Sequence, residues 1–64
     1  MADYKVYEFD RDGHIRSASW VEAVDDAAAE AMVRAAPNAH RREIWLKARK
    51  VASIDPTSMV QSPH

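Results

Sequence analysis

The chain has 64 residues, of which 47% are hydrophobic and 30% are charged, and it contains one glycine, three prolines and no cysteine. This length allows one small domain and little room for the cleft that most enzymes need, so we expect no enzymatic activity. Without cysteine there is neither a disulfide framework nor a thiolate zinc site, which leaves self-association as the supplement to a thin core. The formal net charge of −1 argues against binding of a polyanion by bulk charge.

The distribution of apolar and charged residues predicts a cytoplasmic protein. No basic segment leads into an apolar stretch near the N-terminus, and nowhere do about 18 apolar residues run together. The first half of the chain is acidic and the second half is basic. Halves of opposite charge attract each other within one fold or between two copies.

The first predicted element is a β-hairpin. Residues 4–9 are rich in aromatic and β-branched side chains, which favour a strand. The cluster Asp10-Arg11-Asp12-Gly13 follows and favours a turn in which Gly13 takes a positive φ. A second extended segment covers residues 14–23 and completes the hairpin.

An alanine-rich segment at residues 27–36 predicts one helix. Asp25 and Asp26 precede it as acidic caps, and a proline ends it. Glu30 and Arg34 lie four residues apart and predict an ion pair on the solvent side. The face expected to pack on the sheet consists of small or flexible residues: Ala28, Ala31, Met32 and Ala35.

Two further segments, residues 42–46 and 50–54, alternate large apolar with polar side chains and predict strands. Between them, Lys47-Ala48-Arg49 lacks the Gly or Asn of a tight turn. The pattern is therefore compatible with a second hairpin and also with one long bent strand.

Together these elements predict an α+β domain at residues 1–54. Its architecture is a single antiparallel sheet of three to four strands in β-β-α-β-β order, with one helix packed on one face. Residues 55–64 are predicted to be a flexible C-terminal tail.

The residues of each predicted strand divide between two faces, because side chains alternate along a strand. One set is chiefly aliphatic and is expected under the helix: Val6, Ile15, Val21, Ile44 and Leu46. The other set mixes aromatic and basic side chains and is expected on the open side: Lys5, Tyr7, Phe9, Arg16, Trp20, Trp45 and Lys47. One helix cannot cover both faces, which predicts an exposed aromatic patch.

The aromatic patch is the candidate interaction site. Large rigid aromatic side chains concentrate binding energy at interfaces. The sequence thus predicts a small non-enzymatic binding module, either a homodimer joined through this face or a strand edge, or a partner for another protein. The interface residues would be Tyr7, Phe9, Trp20 and Trp45. The alternative left open is that these aromatics simply pack in a single core.

A second hypothesis assigns the same face to single-stranded nucleic acid, as a binding or regulatory module. Rings that stack on bases beside cations that contact phosphates are typical of such platforms. The basic patch of this hypothesis comprises Arg41, Arg42, Lys47, Arg49 and Lys50. The acidic first half of the chain weighs against it, and a basic run is also typical of a solvated edge that discourages aggregation.

Residues 10–15 read D-x-D-G-x-I, which matches the middle of a calcium-binding EF-hand loop. The last ligand position of that loop would fall on Ser19, and strands flank the segment, so a plain turn without metal is predicted. Asp10, Asp12 and His14 also have the composition of a three-ligand site. No serine, histidine and acid are placed for nucleophilic catalysis, so no catalytic residue and no cofactor is predicted.

Five short segments follow one another over residues 4–54: Tyr-Lys-Val-Tyr-Glu-Phe-Asp, Asp-Gly-His-Ile, Ala-Val-Asp-Asp-Ala, Glu-Ile-Trp-Leu and Arg-Lys-Val-Ala. In this order they resemble a group of short hypothetical proteins common in alphaproteobacteria. Members of that group often carry Asp-Gly or Gly where this chain has Lys47-Ala48-Arg49. The resemblance implies a bacterial cytosolic protein with the β-β-α-β-β order, and it implies no function and no catalytic residues.

Overall fold

The fold places one helix on one face of a four-stranded sheet. A computed structural model describes residues 1–56. In chain order its elements are β1 (Ala2–Phe9), β2 (Ile15–Ala23), α1 (Asp26–Arg34), β3 (Arg42–Leu46) and β4 (Arg49–Ile54). All neighbouring strands are antiparallel, and the order across the sheet is β2-β1-β3-β4. The predicted α+β class and β-β-α-β-β order are confirmed.

The C-terminal segment was predicted to be a flexible tail. Asp55 and Pro56 follow β4 outside any strand and are exposed. The rest of that segment, residues 57–64, lies outside the described residues.

The turn between β1 and β2 is organised by the carboxylate of Asp10. Its Oδ1 accepts the backbone N–H groups of Asp12 and His14, both at 2.9 Å. Gly13 takes a φ of +86°, a conformation that side-chain-bearing residues rarely adopt. These contacts explain why the Asp10-to-Gly13 cluster ends one strand and begins the next.

Because of a bulge near this turn, two of the face assignments predicted from the sequence are wrong. Glu8 is opposite Ser17 while Phe9 is opposite Ile15, so Arg16 is an extra residue. Ile15 is therefore 55% exposed and does not lie under the helix. Arg16 donates to the Glu8 carboxylate at 2.9 Å, which places its side chain on the helix side of the sheet and not on the open side.

The turn between β3 and β4 is a tight hairpin, so the alternative of one bent strand is wrong. Leu46 is opposite Arg49, and only Lys47 and Ala48 connect them. Lys47 supplies the left-handed conformation, with a φ of 56°, that Gly or Asn normally provides. An extra residue in β4, Val51, then shifts the register of this pair.

Helix α1 begins and ends close to the predicted positions. Asp25 caps it by accepting the N–H of Ala28 at 2.8 Å. The predicted Glu30–Arg34 ion pair is confirmed, with 2.8 Å between Arg34 Nη2 and Glu30 Oε2.

The predicted buried stripe of α1 is wrong by one position. The fully buried helix residues are Ala29 and Val33, one turn apart. Met32, which was expected in the stripe, is 48% exposed. Alanines on several sides of the helix give it only a weak preference for burying one face. Which face packs on the sheet therefore depends on the contacts that hold the two ends of the helix.

The N-terminal end of α1 is held by side chains from both β1 and β4. The Tyr4 hydroxyl donates to Asp26 Oδ1 at 2.8 Å. Arg49 approaches both carboxylate oxygens of Asp26, with Nη1 3.0 Å from Oδ2 and Nη2 3.3 Å from Oδ1. These bonds, Arg49 first, hold the pKa of Asp26 below its usual value.

The C-terminal end of α1 is held by Arg42 of β3. This side chain is only 5% exposed, and its Nη1 donates to the carbonyl oxygens of Val33 and Ala36 at 2.9 and 2.7 Å. A cation at the C-terminal end of a helix satisfies unpaired carbonyls and complements the helix dipole. Nε and Nη2 of Arg42 are buried without a partner among the described residues.

The hydrophobic core lies between α1 and one face of the sheet. Its buried residues come from every element: Tyr4, Val6, Ala23, Ala29, Val33, Ile44 and Ile54. Val21 and Leu46 pack against them, so four of the five aliphatic residues assigned to the helix face are placed as predicted. The opposite face of the sheet contributes no residue to this core.

Candidate functional site

The candidate site is the sheet face that α1 does not cover, here called the open face. Strand register and side-chain alternation place these residues on it: Lys5, Tyr7, Phe9, Ala18, Trp20, Glu22, Glu43, Trp45, Lys50 and Ser53. Trp20 is 64% exposed, whereas Tyr7, Phe9 and Trp45 are each partly exposed. All four aromatic residues predicted from the sequence as an interface therefore share one face.

Lys5 stands at the centre of the open face. It is opposite Trp20 on β2 and opposite Trp45 on β3. Its ammonium nitrogen lies 4.3 Å from the Trp20 ring centroid and 5.8 Å from that of Tyr7. An ammonium at this distance from an indole face is attracted by the ring electrons. Among the described residues this cation has aromatic neighbours and no carboxylate ion-pair partner.

A second polar cluster lies on the β3 side of the face, around Glu43. Its carboxylate accepts from Arg41 at 2.7 Å and from the Trp45 indole at 3.0 Å, and Lys50 lies 3.4 Å away. Partial burial raises the pKa of Glu43, but the hydrogen bonds and the Lys50 charge outweigh burial and leave the pKa below its usual value. Glu43 thus fixes the Trp45 ring and neutralises nearby cations.

A cation, the guanidinium of Arg41, also lies over Phe9 at the outer end of the open face. The guanidinium carbon of Arg41 lies 4.3 Å from the Phe9 ring centroid. The backbone N–H of Phe9 donates to the Arg41 carbonyl at 2.8 Å, so the two residues are neighbours across the β1–β3 pair. Phe9 is therefore partly covered within the chain itself.

The five residues of the hypothetical basic patch do not form one surface. Arg42 is in the interior, where it caps α1. Arg49 pairs with the first residue of the helix on the other side of the sheet. Arg41 and Lys50 are on the open face but share the carboxylate of Glu43. The fifth member, Lys47, lies in the exposed β3–β4 turn.

The sequence predicts an interface at a strand edge without indicating which strand, and the structure shows which backbone groups are open along β2. Because Phe9 N–H points to β3, alternation directs the N–H groups of Val6 and Glu8 to β2. The backbone N–H and C=O groups of their partners in β2, Ser19 and Ser17, therefore point to β1. The alternate residues of β2 point the same groups away from the sheet: Ala18, Trp20 and Glu22.

The two edges of the sheet differ in how they resist pairing with another strand. β2 has nine residues, most of them exposed, and it contains no proline, glycine or lysine. β4 has six residues, begins with Arg49 and Lys50, and is bent by the extra Val51. Basic side chains, short length and bulges are features that protect edges. In β2 the bulge and the basic side chain, both at Arg16, lie at one end. Residues 17–23 have neither, so this part of β2 is the edge open to a partner.

The Asp10, Asp12 and His14 side chains come together, with ligand atoms within 4.8 Å of one another. The turn itself accounts for this arrangement, because Asp10 accepts two backbone N–H groups there. These bonds, that of His14 first, hold the pKa of Asp10 below its usual value. The cluster is exposed and its geometry is that of the hairpin turn.

Comparison of the chain with protein-family models, with curated proteins and with solved structures returned no match. Within residues 1–56, no helix has the length and apolar character needed to cross a membrane.

Proposed function

We propose that the protein is a small non-enzymatic interaction module that forms a homodimer in the cytoplasm. The observation that supports this most directly is the unprotected edge of β2, which runs beside the exposed Trp20 on the open face. An unpaired edge and a large exposed aromatic side chain are each features that proteins bury in partners. Here they are adjacent.

The thin core supplies a second reason for self-association. Among residues 1–56, seven hydrophobic residues are buried, and three of the larger ones, Tyr4, Ile44 and Ile54, dominate that core. A domain of this size buries only about 60% of the surface of its unfolded chain. Because the chain has no cysteine, a second copy is the natural supplement to its stability.

Sedimentation equilibrium over a wide range of protein concentration tests the proposal. We expect a monomer–dimer equilibrium for the natural sequence. Trp20→Ala and Trp45→Ala, both verified as folded by circular dichroism, remove aromatic contact area. A dimer joined through the open face should shift towards monomer in both variants, and a dimer joined through the β2 edge should shift in Trp20→Ala alone. Unchanged association in both variants would show that the aromatic residues are not the anchors. A monomer at every concentration would refute self-association itself.

The alternative function is binding of single-stranded nucleic acid. Lys5 beside Trp20 and Tyr7 supports it, since bases stack on rings next to a cation that contacts phosphate. The pairing of Arg41 and Lys50 with Glu43 reduces the charge available for phosphate. Titration with a fluorescent oligonucleotide at several salt concentrations tests this function, which requires an affinity that falls steeply with salt.

A further inference from the structure

We propose that two copies of the chain pair their β2 strands antiparallel, about a two-fold axis that passes beside Ser19. This pairing joins two four-stranded sheets into one continuous sheet and two open faces into one aromatic surface. The inference rests on the proposed function, because it names the partner and the register of that self-association.

Strand length supports this register. Ser19 is the middle residue of β2, which runs from Ile15 to Ala23. An axis beside Ser19 therefore overlaps the whole strand with its copy. Moving the axis to Ala18 or to Trp20 leaves residues at the strand ends without an opposite residue.

The backbone groups support it as well. Ser19 directs its own N–H to β1, so the two copies of Ser19 form a non-hydrogen-bonded pair across the axis. Ala18 and Trp20 direct their N–H and C=O groups outward, and this register places Ala18 opposite the partner's Trp20. The two symmetric Ala18–Trp20 pairs would form about four backbone hydrogen bonds.

Side-chain size is complementary in this register. The indole of Trp20 lies beside the methyl group of the partner's Ala18, so a large side chain meets a small one on the open face. With the axis at Trp20, two indoles oppose each other and Glu22 faces Ala18. With the axis at Ala18, Trp20 faces the bulge at Arg16.

The opposite edge of the sheet provides a matched control. The N–H of Ile44 points to β4, because its neighbours Glu43 and Trp45 pair with β1. Ala52 and Ile54 of β4 point their N–H groups to β3. Ser53 lies between them, so its own N–H points away from the sheet, as that of Ala18 does. Both residues are exposed and lie on the open face. Proline at either position removes an outward N–H and no bond within the sheet.

Sedimentation equilibrium of Ala18→Pro and Ser53→Pro is the first test. We expect Ala18→Pro to raise the dimer dissociation constant at least about tenfold, because it removes an edge donor at the centre of the contact. Ser53→Pro should leave the constant unchanged. Circular dichroism verifies that each variant retains its fold. An equal effect of the two prolines would overturn the β2 pairing.

A disulfide test fixes the register and does not depend on proline. A non-hydrogen-bonded pair brings Cα atoms to about 4.5 Å, which is within disulfide range. Since the natural chain has no cysteine, Ser19→Cys should cross-link in quantitative yield on mild oxidation. Ser17→Cys, on the same face of the same strand, should remain reduced because its copies lie several residues apart along the strands.

The outcomes separate the register from self-association. If the natural chain dimerises but Ser19→Cys does not cross-link, or Ser17→Cys cross-links equally, the register is wrong and the homodimer stands. If the natural chain dimerises and Ala18→Pro dimerises with an unchanged dissociation constant, the β2 edge is not the contact. If the natural chain stays monomeric at every concentration, the homodimer and the pairing both fail.

Discussion

Replacement of Arg42 by methionine tests whether a buried guanidinium stabilises this fold. Its two hydrogen bonds to the carbonyls of Val33 and Ala36 involve a charged donor and contribute about 1.5–3 kcal/mol each. Against them stand the buried Nε and Nη2, which lack partners and cost about 1–3 kcal/mol. Methionine keeps the length and the apolar packing of the side chain. The centres of these ranges, about 4.5 kcal/mol for the two bonds and about 2 kcal/mol for the cost, predict that Arg42→Met lowers the free energy of unfolding by about 2–3 kcal/mol.

Urea unfolding, followed by circular dichroism, measures this loss. A chain of this length has a total stability of about 3–10 kcal/mol, so the change should be visible as a lower midpoint. Arg34→Met is the control, because its ion pair with Glu30 is exposed and contributes about 0.5 kcal/mol or less. If Arg42→Met is as stable as the natural chain or more stable, the desolvation of the guanidinium outweighs its bonds to the helix, and the reasoning is refuted.

Three further predictions concern the core, the second turn and acid. Ile44→Ala, at a position with 0% exposure, should lower the free energy of unfolding by about 2–5 kcal/mol in urea, and a smaller loss would contradict its place at the centre of the core. Lys47→Gly should raise the free energy of unfolding by about 1 kcal/mol by removing left-handed strain, seen as a higher melting temperature; a fall would count against the strain. The lowered pKa values of Asp26 and Glu43 mean that these carboxylates stabilise the fold above their unfolded pKa of about 4, and that this contribution is lost as the pH falls below it. Urea midpoints measured between neutral and acidic pH should therefore decrease on acidification, and a constant midpoint would contradict the two pKa shifts.

Local sequence signals were sufficient for the first hairpin and for the helix. The Asp10-to-Gly13 cluster contains both the carboxylate that accepts turn N–H groups and the residue that takes a positive φ. Asp25 caps α1 through its own side chain, within three residues of its partner. Such interactions join residues close in sequence, so the pattern of residue types alone predicts them.

The second hairpin and the rotation of the helix could not be derived from local signals. The β3–β4 turn uses Lys47 in a conformation that its residue type disfavours, because pairing of the two strands outweighs local strain. In α1, alanine on every side gives little preference for one face. Contacts distant in sequence, Arg42 to Val33 and Tyr4 to Asp26, select the face that is buried.

The alternation of side chains along the strands placed the four aromatic residues of the candidate interface on one face, and the structure agrees. It could not place Arg16 and Ile15, because one extra residue at the bulge moves each of them to the other face. Nor did this alternation show that Glu43 pairs with Arg41 and Lys50 and so neutralises two cations of the predicted basic patch. That pairing depends on residues brought together from beyond the strand.

The sequence by itself determined the element order, the turn before β2 and the division of the sheet into an aliphatic and an aromatic face, because each depends on side-chain periodicity or on neighbours along the chain. Only the tertiary structure decided that β2, and not β4, is the unprotected edge, and that Arg42 belongs to the interior. Strand order and backbone direction across the sheet arise from pairing between distant segments, and no local pattern encodes which strand is left without a neighbour.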